Sequence, residues 1–132
     1  MLRCLIVDDS PRFLAAARGL LEREGVAVVG VASTGAEAVR RIEELRPDVT
    51  LVDIDLGGES GFEVVRWLHR DAGVAAARLI LISTHAEEDY AELIAASPAA
   101  GFLSKTALGA GAIRDLLGRH ANGDPVSGPR GT

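Results

Sequence analysis

Acidic side chains stand directly after two of the short apolar runs of this sequence. Asp8 and Asp9 follow the first run, and Asp53 follows the third. Carboxylates that crowd into one site repel one another strongly unless a cation shares it. Ligation by carboxylate oxygens, without a histidine or cysteine ligand, suits Mg²⁺. We therefore expect a magnesium site here, with Asp55 close by, if the fold brings these residues together.

A hydroxyl and an ammonium group stand after two later apolar runs, at Ser83 and Lys105. The ammonium group can pair with a phosphoryl group, and the hydroxyl can donate a hydrogen bond to one of its oxygens. A carboxylate held in line with such a group is a workable nucleophile. Asp53 ends the run that is expected to form a central strand, and we assign the nucleophilic role to it.

The elements that must position these residues follow from two alternating hydrophobic patterns. Five short, continuously apolar runs indicate strands buried on both faces, as in a parallel sheet: 4–7, 26–29, 49–52, 79–82 and 101–103. A segment with the apolar spacing of a helix follows each run. We predict five βα units, (βα)5, and hence an α/β fold, a doubly wound three-layer sandwich around a parallel five-stranded sheet.

The carboxyl ends of parallel strands lie on one edge of the sheet, where doubly wound proteins bind their ligands. In the strand order 2-1-3-4-5, the first and third strands are neighbours about 4.8 Å apart. That order brings Asp8, Asp9 and Asp53 into one crevice, with Ser83 beside it and the long Lys105 side chain reaching in. The second strand, to the side in this order, ends without an acidic residue, so the sequence is consistent with the order.

Capping signals mark the starts of four predicted helices. Ser10 stands before a first-turn proline. Three further pairs have the spacing of a capping box: Thr34 with Glu37, Ser60 with Glu63, and Thr84 with Glu87. We expect Thr84 to cap the fourth helix, which leaves the Ser83 hydroxyl free for the crevice.

The 132 residues have the length and composition of one globular domain, with 48% hydrophobic and 25% charged residues. We predict that domain over 1–121 and a disordered tail over 122–132, where no apolar stripe continues. The net charge of −5 and the lack of a basic cluster argue against direct binding of nucleic acid. We expect a cytoplasmic protein without a membrane span, since no apolar run is long enough, no secretory signal is recognisable, and the lone Cys4 suits a reducing compartment.

These residues together resemble the receiver domain of two-component response regulators. The resemblance covers roughly residues 2–120 and rests on Asp8-Asp9, Asp53, Ser83-Thr84 and the run Gly101-Phe102-Leu103-Ser104-Lys105. It implies a flavodoxin-like topology, and the expected strand order rests partly on it. The stretch 53–61 is also similar to that of stand-alone, single-domain receivers of actinobacteria.

The resemblance implies where the phosphoryl group and the cation are held. Asp53 would be the phosphorylation site. Asp9 and Asp53 would ligate Mg²⁺ directly, and the backbone carbonyl of Asp55 would complete the protein's share of ligands. Asp8 would act through water or more loosely.

The resemblance also implies a switch and a means of setting its lifetime. Ser83 would be the switch hydroxyl, Phe102 the aromatic residue that turns inward behind it, and Lys105 the partner of the phosphoryl group. Asp55 and His85 would tune autodephosphorylation. Two alternatives stay open for His85: it pairs with Asp55 and lessens the repulsion between that carboxylate and the attacking water, or it points to solvent and matters little.

Two positions depart from the pattern of that family. Gly57 stands where the family often has a proline, four residues after the phosphorylated aspartate, and we expect a more mobile loop there. Thr106 follows Lys105 where the family usually has a proline in a cis peptide. A cis bond without proline costs about 2.5–4 kcal/mol, so the geometry after Lys105 stays open.

The function implied is a phosphoacceptor switch of a two-component system or phosphorelay. We expect no enzymatic activity other than the domain's own phosphotransfer and autodephosphorylation. A histidine kinase or phosphotransfer protein would be the donor. The output would be a contact with an unknown downstream protein, with a homodimer on phosphorylation as a further expectation.

Two alternatives stay open at the level of the sequence. One is a receiver fragment of a longer DNA-binding response regulator. The other is a phosphatase of the haloacid dehalogenase type, because Asp53 and Asp55 form an Asp-x-Asp; no acidic pair follows Lys105, however, as that family requires.

Overall fold

The computed structural model describes residues 1–121, so the predicted tail over 122–132 lies outside the described residues. Five strands alternate with five helices: β1 (Arg3–Val7), α1 (Pro11–Arg23), β2 (Ala27–Ala32), α2 (Gly35–Leu45), β3 (Val49–Asp53), α3 (Gly61–Arg70), β4 (Leu79–Ser83), α4 (Ala91–Ala96), β5 (Gly101–Ser104) and α5 (Ala110–Ala121). Short 3₁₀ helices precede β4, α4 and α5, at Ala76–Arg78, Glu87–Tyr90 and Lys105–Ala107. No helix within 1–121 combines the length and apolarity needed to cross a membrane.

The five strands form one parallel sheet in the order β2-β1-β3-β4-β5. β3 lies between β1 and β4, and all five of its residues are buried. Strands covered on both faces need apolar residues at every position, which is why these runs are continuous and do not alternate with polar residues. The predicted α/β fold and strand order are confirmed.

Successive side chains of each strand point to opposite faces of the sheet, so the sheet carries two cores. In β1, Cys4 and Ile6 join the core beneath α1 and α5, whereas Leu5 and Val7 join the core beneath α2 and α3. All four are fully buried, and each large aliphatic side chain contributes about 1.5–3 kcal/mol to folding. This three-layer packing fixes the strand ends, and with them the side chains that follow.

Side-chain caps hold the starts of the first three helices at the predicted residues. The Ser10 and Thr34 hydroxyls accept hydrogen bonds from the third residue of their helices, at 3.2 and 3.1 Å. Ser60 caps α3 by accepting from the backbone N–H of Phe62 at 3.2 Å. These caps satisfy N–H groups that have no partner inside the helix.

Neither of the capping boxes predicted for α2 and α3 closes. The side chain of Glu37 accepts from the backbone N–H of Ser33 instead. The side chain of Glu63 pairs with Arg66.

The predicted start of the fourth helix is wrong. A 3₁₀ helix begins at Glu87 and α4 only at Ala91, and neither has a side-chain cap. The hydroxyl of Ser83, not that of Thr84, takes the nearby backbone N–H group, that of His85. The segment from Thr84 to Asp89 is exposed, so nothing apolar holds it in a helix there.

Candidate functional site

Three carboxylates meet at the carboxyl edge of the sheet. Asp8 and Asp9 follow β1, and Asp53 is the last residue of β3, the strand beside it. One oxygen from each carboxylate lies within 4.8 Å of the other two. Asp8 is fully buried, Asp53 is 7% exposed, and Asp9 faces solvent. The structure therefore brings together the three acidic side chains that the sequence singled out.

The two carboxylate oxygens of Asp8 have different partners. Its Oδ1 accepts a hydrogen bond from the backbone N–H of Ser10 at 2.9 Å. Its Oδ2 is buried and, within residues 1–121, has no hydrogen-bond donor other than the Lys105 ammonium group, whose Nζ lies 2.6 Å away in an ion pair. A buried carboxylate oxygen in that state has coordination to spare. The all-oxygen donor set fits Mg²⁺, which prefers carboxylate and water ligands.

The surroundings of Asp53 shift its pKa in opposite directions. Burial raises its pKa above the ordinary value, and the nearby Asp8 charge adds to this, whereas the backbone N–H of Asp55 and the Lys105 ammonium group act to lower it. Its Oδ1 accepts from the Asp55 N–H at 3.2 Å and its Oδ2 accepts from Lys105 Nζ at 3.0 Å. These two bonds fix the carboxylate plane at the mouth of the crevice.

Lys105 reaches both buried carboxylates from the far end of β5. Its Nζ lies 2.6 Å from Asp8 Oδ2 and 3.0 Å from Asp53 Oδ2, and its side chain is 12% exposed. Burial acts to lower the pKa of Lys105, but the two carboxylates raise it by more, so the net direction is upward. The bond to Thr106 is trans, and no cis peptide occurs within 1–121. Lys105 is thus a cation held against both Asp8 and Asp53.

Ser83, the last residue of β4, is bonded within its own loop. Its Oγ accepts from the backbone N–H of His85 at 2.9 Å and lies 3.4 Å from His85 Nδ1. The residue is 1% exposed, and no hydrogen bond joins it to Asp53 in the described part of the chain. A phosphoryl group on Asp53 would therefore have to draw this hydroxyl away from His85.

Asp55 and His85 lie in the loops that follow β3 and β4, at the same edge of the sheet as the acidic cluster. Asp55 is exposed, and its Oδ1 accepts from the backbone N–H of Gly57 at 3.1 Å. The His85 ring lies edge-on against Tyr90, with ring centroids 5.7 Å apart. Over residues 1–121, no hydrogen bond or ion pair joins Asp55 to His85. Their pairing is absent from this structure, and a tuning role for either side chain stays a prediction.

Gly57 has a steric reason to be glycine. Its φ of +77° is a conformation that proline cannot adopt. A Cβ atom at this position would lie 2.9 Å from Asp9 Oδ2. The backbone of this loop therefore approaches the acidic cluster closely, which is the reason for the departure from proline at this position. The expected mobility of the loop stays a prediction.

Phe102 is already inside the protein. It is 9% exposed and packs in the core beneath α2 and α3, with the half-buried side chains of Tyr90 and Ile94 against the same core. The structure thus shows the inward position that the resemblance assigned to the switched state. Its role as a switch stays a prediction.

Two aromatic residues at the site were not singled out by the sequence. Phe13 lies in the first turn of α1, and its ring lies under the Lys105 ammonium group, with Nζ 4.1 Å from the ring centroid. Tyr90 contacts both His85 and Phe62, with a ring-centroid distance of 6.1 Å to the latter. The only available signal was position, since Phe13 lies in the first turn of the helix after Asp9.

The arrangement matches a known family. The model of the response regulator receiver domain matches residues 4–116. This chain belongs to the response regulator receiver domain family. That assignment excludes the haloacid dehalogenase alternative. The acidic pair, Asp8 and Asp9, stands after β1, and Asp53 is the last residue of β3.

Individual relatives agree with the family assignment. The DNA-binding transcriptional activator EvgA of Escherichia coli (strain K12) is 31% identical over 106 residues, which cover 79% of this chain and 50% of EvgA. Protein PilH of Pseudomonas aeruginosa is 38% identical over 88 residues, covering 67% of this chain and 72% of PilH. The crystal structure of a LuxR-family two-component response regulator from Aurantimonas sp. SI85-9A1 has a TM-score of 0.75 at 30% identity, covering 88% of this chain and 84% of that one. This receiver domain spans about half the length of EvgA.

Proposed function

We propose that this receiver domain is a phosphoacceptor switch in which Asp53 takes a phosphoryl group from a phosphohistidine of a kinase or phosphotransfer protein. The observation that carries the proposal is the position of Asp53. One of its oxygens lies 3.0 Å from the Lys105 ammonium group, and its carboxylate shares a cluster with Asp8 and Asp9. A nucleophile, a cation for the transferred group and a set of metal ligands thus converge on one point.

The transfer forms one bond and breaks one bond. An Asp53 carboxylate oxygen attacks the phosphorus atom, the P–N bond to the donor histidine breaks, and the imidazole leaves with the electron pair and is protonated from solvent. The raised pKa of Asp53 means that the carboxylate needs a positive environment to react as an anion. Lys105 supplies part of that environment.

Asp8, Asp9 and Asp53, together with the backbone carbonyl of Asp55, would hold Mg²⁺. The ion would neutralise charge on the incoming phosphoryl oxygens, which three carboxylates would otherwise repel. The cluster of one oxygen each from Asp8, Asp9 and Asp53 within 4.8 Å of one another supports this assignment. The chain acts on no separate substrate in this proposal, since its chemistry is confined to gaining and losing its own phosphoryl group.

The switch follows from the hydroxyl of Ser83. After transfer, a phosphoryl oxygen competes with the His85 loop for this hydroxyl, and a charged acceptor is the stronger partner. Movement of Ser83 towards the phosphoryl group would release His85, whose ring packs on Tyr90 just ahead of α4. Phe102, beneath the same surface, would repack with it.

The output would be a changed contact on the surface of α4, β5 and α5, with a downstream protein or with a second copy of the domain. EvgA is a DNA-binding transcriptional activator, and this chain covers 50% of it. A native context in which a DNA-binding segment follows the domain is therefore a second candidate. In either case the receiver domain itself, with a net charge of −5, is not the part that binds DNA.

Acetyl phosphate as donor tests the proposal directly. We expect intact-mass spectrometry to show one added phosphoryl group in the presence of Mg²⁺, none with a chelator, and none in Asp53→Asn. Asp115→Asn, which changes an exposed carboxylate on α5, is the matched control and should be phosphorylated like the wild type. Undiminished phosphorylation of Asp53→Asn would show that the acceptor is another residue.

The decay of the same adduct tests the tuning roles. Asp55→Asn should hydrolyse faster, because an ionised Asp55 repels both the phosphoryl oxygens and the attacking water. The structure shows no Asp55–His85 pair, so the effects of Asp55→Asn and His85→Ala on the logarithm of the rate should add. Slower hydrolysis in Asp55→Asn would instead make Asp55 a group that positions the water.

A further inference from the structure

The Lys105 ammonium group rests on an aromatic face as well as on two carboxylates. Nζ lies 4.1 Å from the centroid of the Phe13 ring, within the range of a cation–π contact. The side chain of Lys105 is 12% exposed, so the contact is shielded from water on most sides. Cation–π attraction is strongest where the cation is desolvated. The ring thus stabilises the ammonium group and does more than fill space.

Phe13 is tied to the acidic cluster by a closed circuit of contacts. Asp8 Oδ1 accepts from the Ser10 N–H at 2.9 Å, and Ser10 Oγ accepts from the Phe13 N–H at 3.2 Å. The Phe13 ring meets Lys105, whose Nζ returns to Asp8 Oδ2 at 2.6 Å. The first turn of α1 is therefore locked to the same carboxylate that Lys105 contacts, and the position of the ring is set by the site itself.

The circuit matters most when the partners of Lys105 change. A metal ion bound to Asp8 and Asp53 would compete with the Lys105 ammonium group, because the ion and the ammonium group would interact with the same carboxylate oxygens. The phenyl ring has no lone pair to offer Mg²⁺, so a metal ion would not compete with Nζ for this contact. Without it, a lysine that loses its carboxylates would be free to swing into solvent.

We propose that Phe13 is a positioning residue for Lys105, which holds the ammonium group against the site while its partners pass from the two carboxylates to the phosphoryl group. This inference rests on the proposed phosphoacceptor function and adds a residue to it. Phe13 touches neither the phosphoryl group nor the metal and acts only through Lys105.

Two variants of Phe13 separate the aromatic face from mere apolar bulk. Phe13→Leu keeps an apolar side chain of similar volume but has no ring, whereas Phe13→Tyr keeps the ring. Leu20→Ala is the control, because Leu20 lines the same groove beside α1 but lies about 10 Å further along the helix. Thermal melting of each variant checks that the fold is intact.

The first measurement is independent of phosphorylation. In the metal-free protein, ring current should move the Lys105 Hε resonances upfield. We expect Phe13→Leu to abolish this shift, and Phe13→Tyr and Leu20→Ala to retain it. An unshifted Lys105 in the wild type would overturn the contact and with it the proposal.

The second measurement is the affinity for beryllofluoride, a mimic of the phosphoryl group, in the presence of Mg²⁺. Phe13→Leu should bind about three- to tenfold more weakly, whereas Phe13→Tyr and Leu20→Ala should bind like the wild type. Wild-type affinity in Phe13→Leu would overturn the positioning role and leave the phosphoacceptor function standing. No binding by the wild type would overturn that function itself, and the inference with it.

Discussion

At the scale of single residues, the buried carboxyl group of Asp53 weakens the fold when it is ionised. Burial raises its pKa, which means that the folded protein disfavours the ionised form even with Lys105 beside it. A carboxyl group whose pKa is raised by folding weakens the fold as the pH rises from its unfolded value to its folded value. The penalty is complete above the folded pKa and absent below the unfolded one.

This linkage predicts that Asp53→Asn stabilises the metal-free domain. At pH 7 in a chelator, the free energy of unfolding of Asp53→Asn should exceed that of the wild type, because the amide avoids the buried charge. The gain should vanish as the pH falls below about 3.8, the ordinary value for this group. Urea titrations at several pH values measure this, with Asp115→Asn as the control for a surface charge. A less stable Asp53→Asn at pH 7 would mean that the Lys105 pair outweighs burial.

Residues at strand ends were predictable, and residues that meet them from elsewhere were not. Asp8, Asp53 and Ser83 lie together because parallel strands bring their carboxyl ends to one edge, a rule that needs only the strand order. The Phe13–Lys105 contact depends on the pitch of α1 and on the rotamer of a long side chain. The apolar spacing of a helix gives no information on either, so the sequence does not predict this contact.

At the scale of elements, α3 and α4 differ in how firmly they are held. Half of the ten residues of α3 are buried, whereas none of the six residues of α4 is. α4 reaches the core only through the half-buried Ile94, and Leu93 is 52% exposed. The lack of buried contacts also explains why no helix starts after Thr84, where the capping-box spacing predicted one. A cap stabilises a helix that packing already favours, but it cannot start a helix without that packing. Elements with few buried contacts open at low free-energy cost.

α4 should therefore be the helix whose dynamics report the switch. We expect its amide hydrogens to exchange much faster than those of α3, and beryllofluoride with Mg²⁺ to change the exchange of α4 through Ser83 and Tyr90. In Ser83→Ala, beryllofluoride should still bind but the change at α4 should be lost. Hydrogen-exchange mass spectrometry measures both helices in one experiment, with α3 as the internal reference. An equal response of α4 in Ser83→Ala would remove Ser83 from the switch.

At the scale of the whole molecule, β1 belongs both to the centre of the sheet and to the acidic cluster, so opening of this strand would affect both. It pairs with β2 on one side and β3 on the other, and it ends in the acidic cluster. Cys4 lies within it, fully buried, and burial raises the pKa of its thiol to about 12. Only the thiolate reacts with alkylating reagents, so the native thiol is protected both by packing and by its charge state.

Alkylation of Cys4 should consequently report global unfolding. Under native conditions at pH 8, its rate should equal the rate for the unfolded chain multiplied by the small unfolded fraction, provided that refolding outpaces labelling. A ligand that binds only the folded state should slow labelling about tenfold when its free concentration is ten times its Kd. Beryllofluoride with Mg²⁺ is such a ligand if Asp53 is the acceptor. In Ala95→Cys, the new cysteine lies on the exposed face of α4. It should be alkylated at nearly the rate of the unfolded chain, both with and without beryllofluoride. Labelling of Cys4 that is fast, or unaffected by the ligand, would show that β1 opens locally, so that the site at its end is not coupled to the fold as a whole.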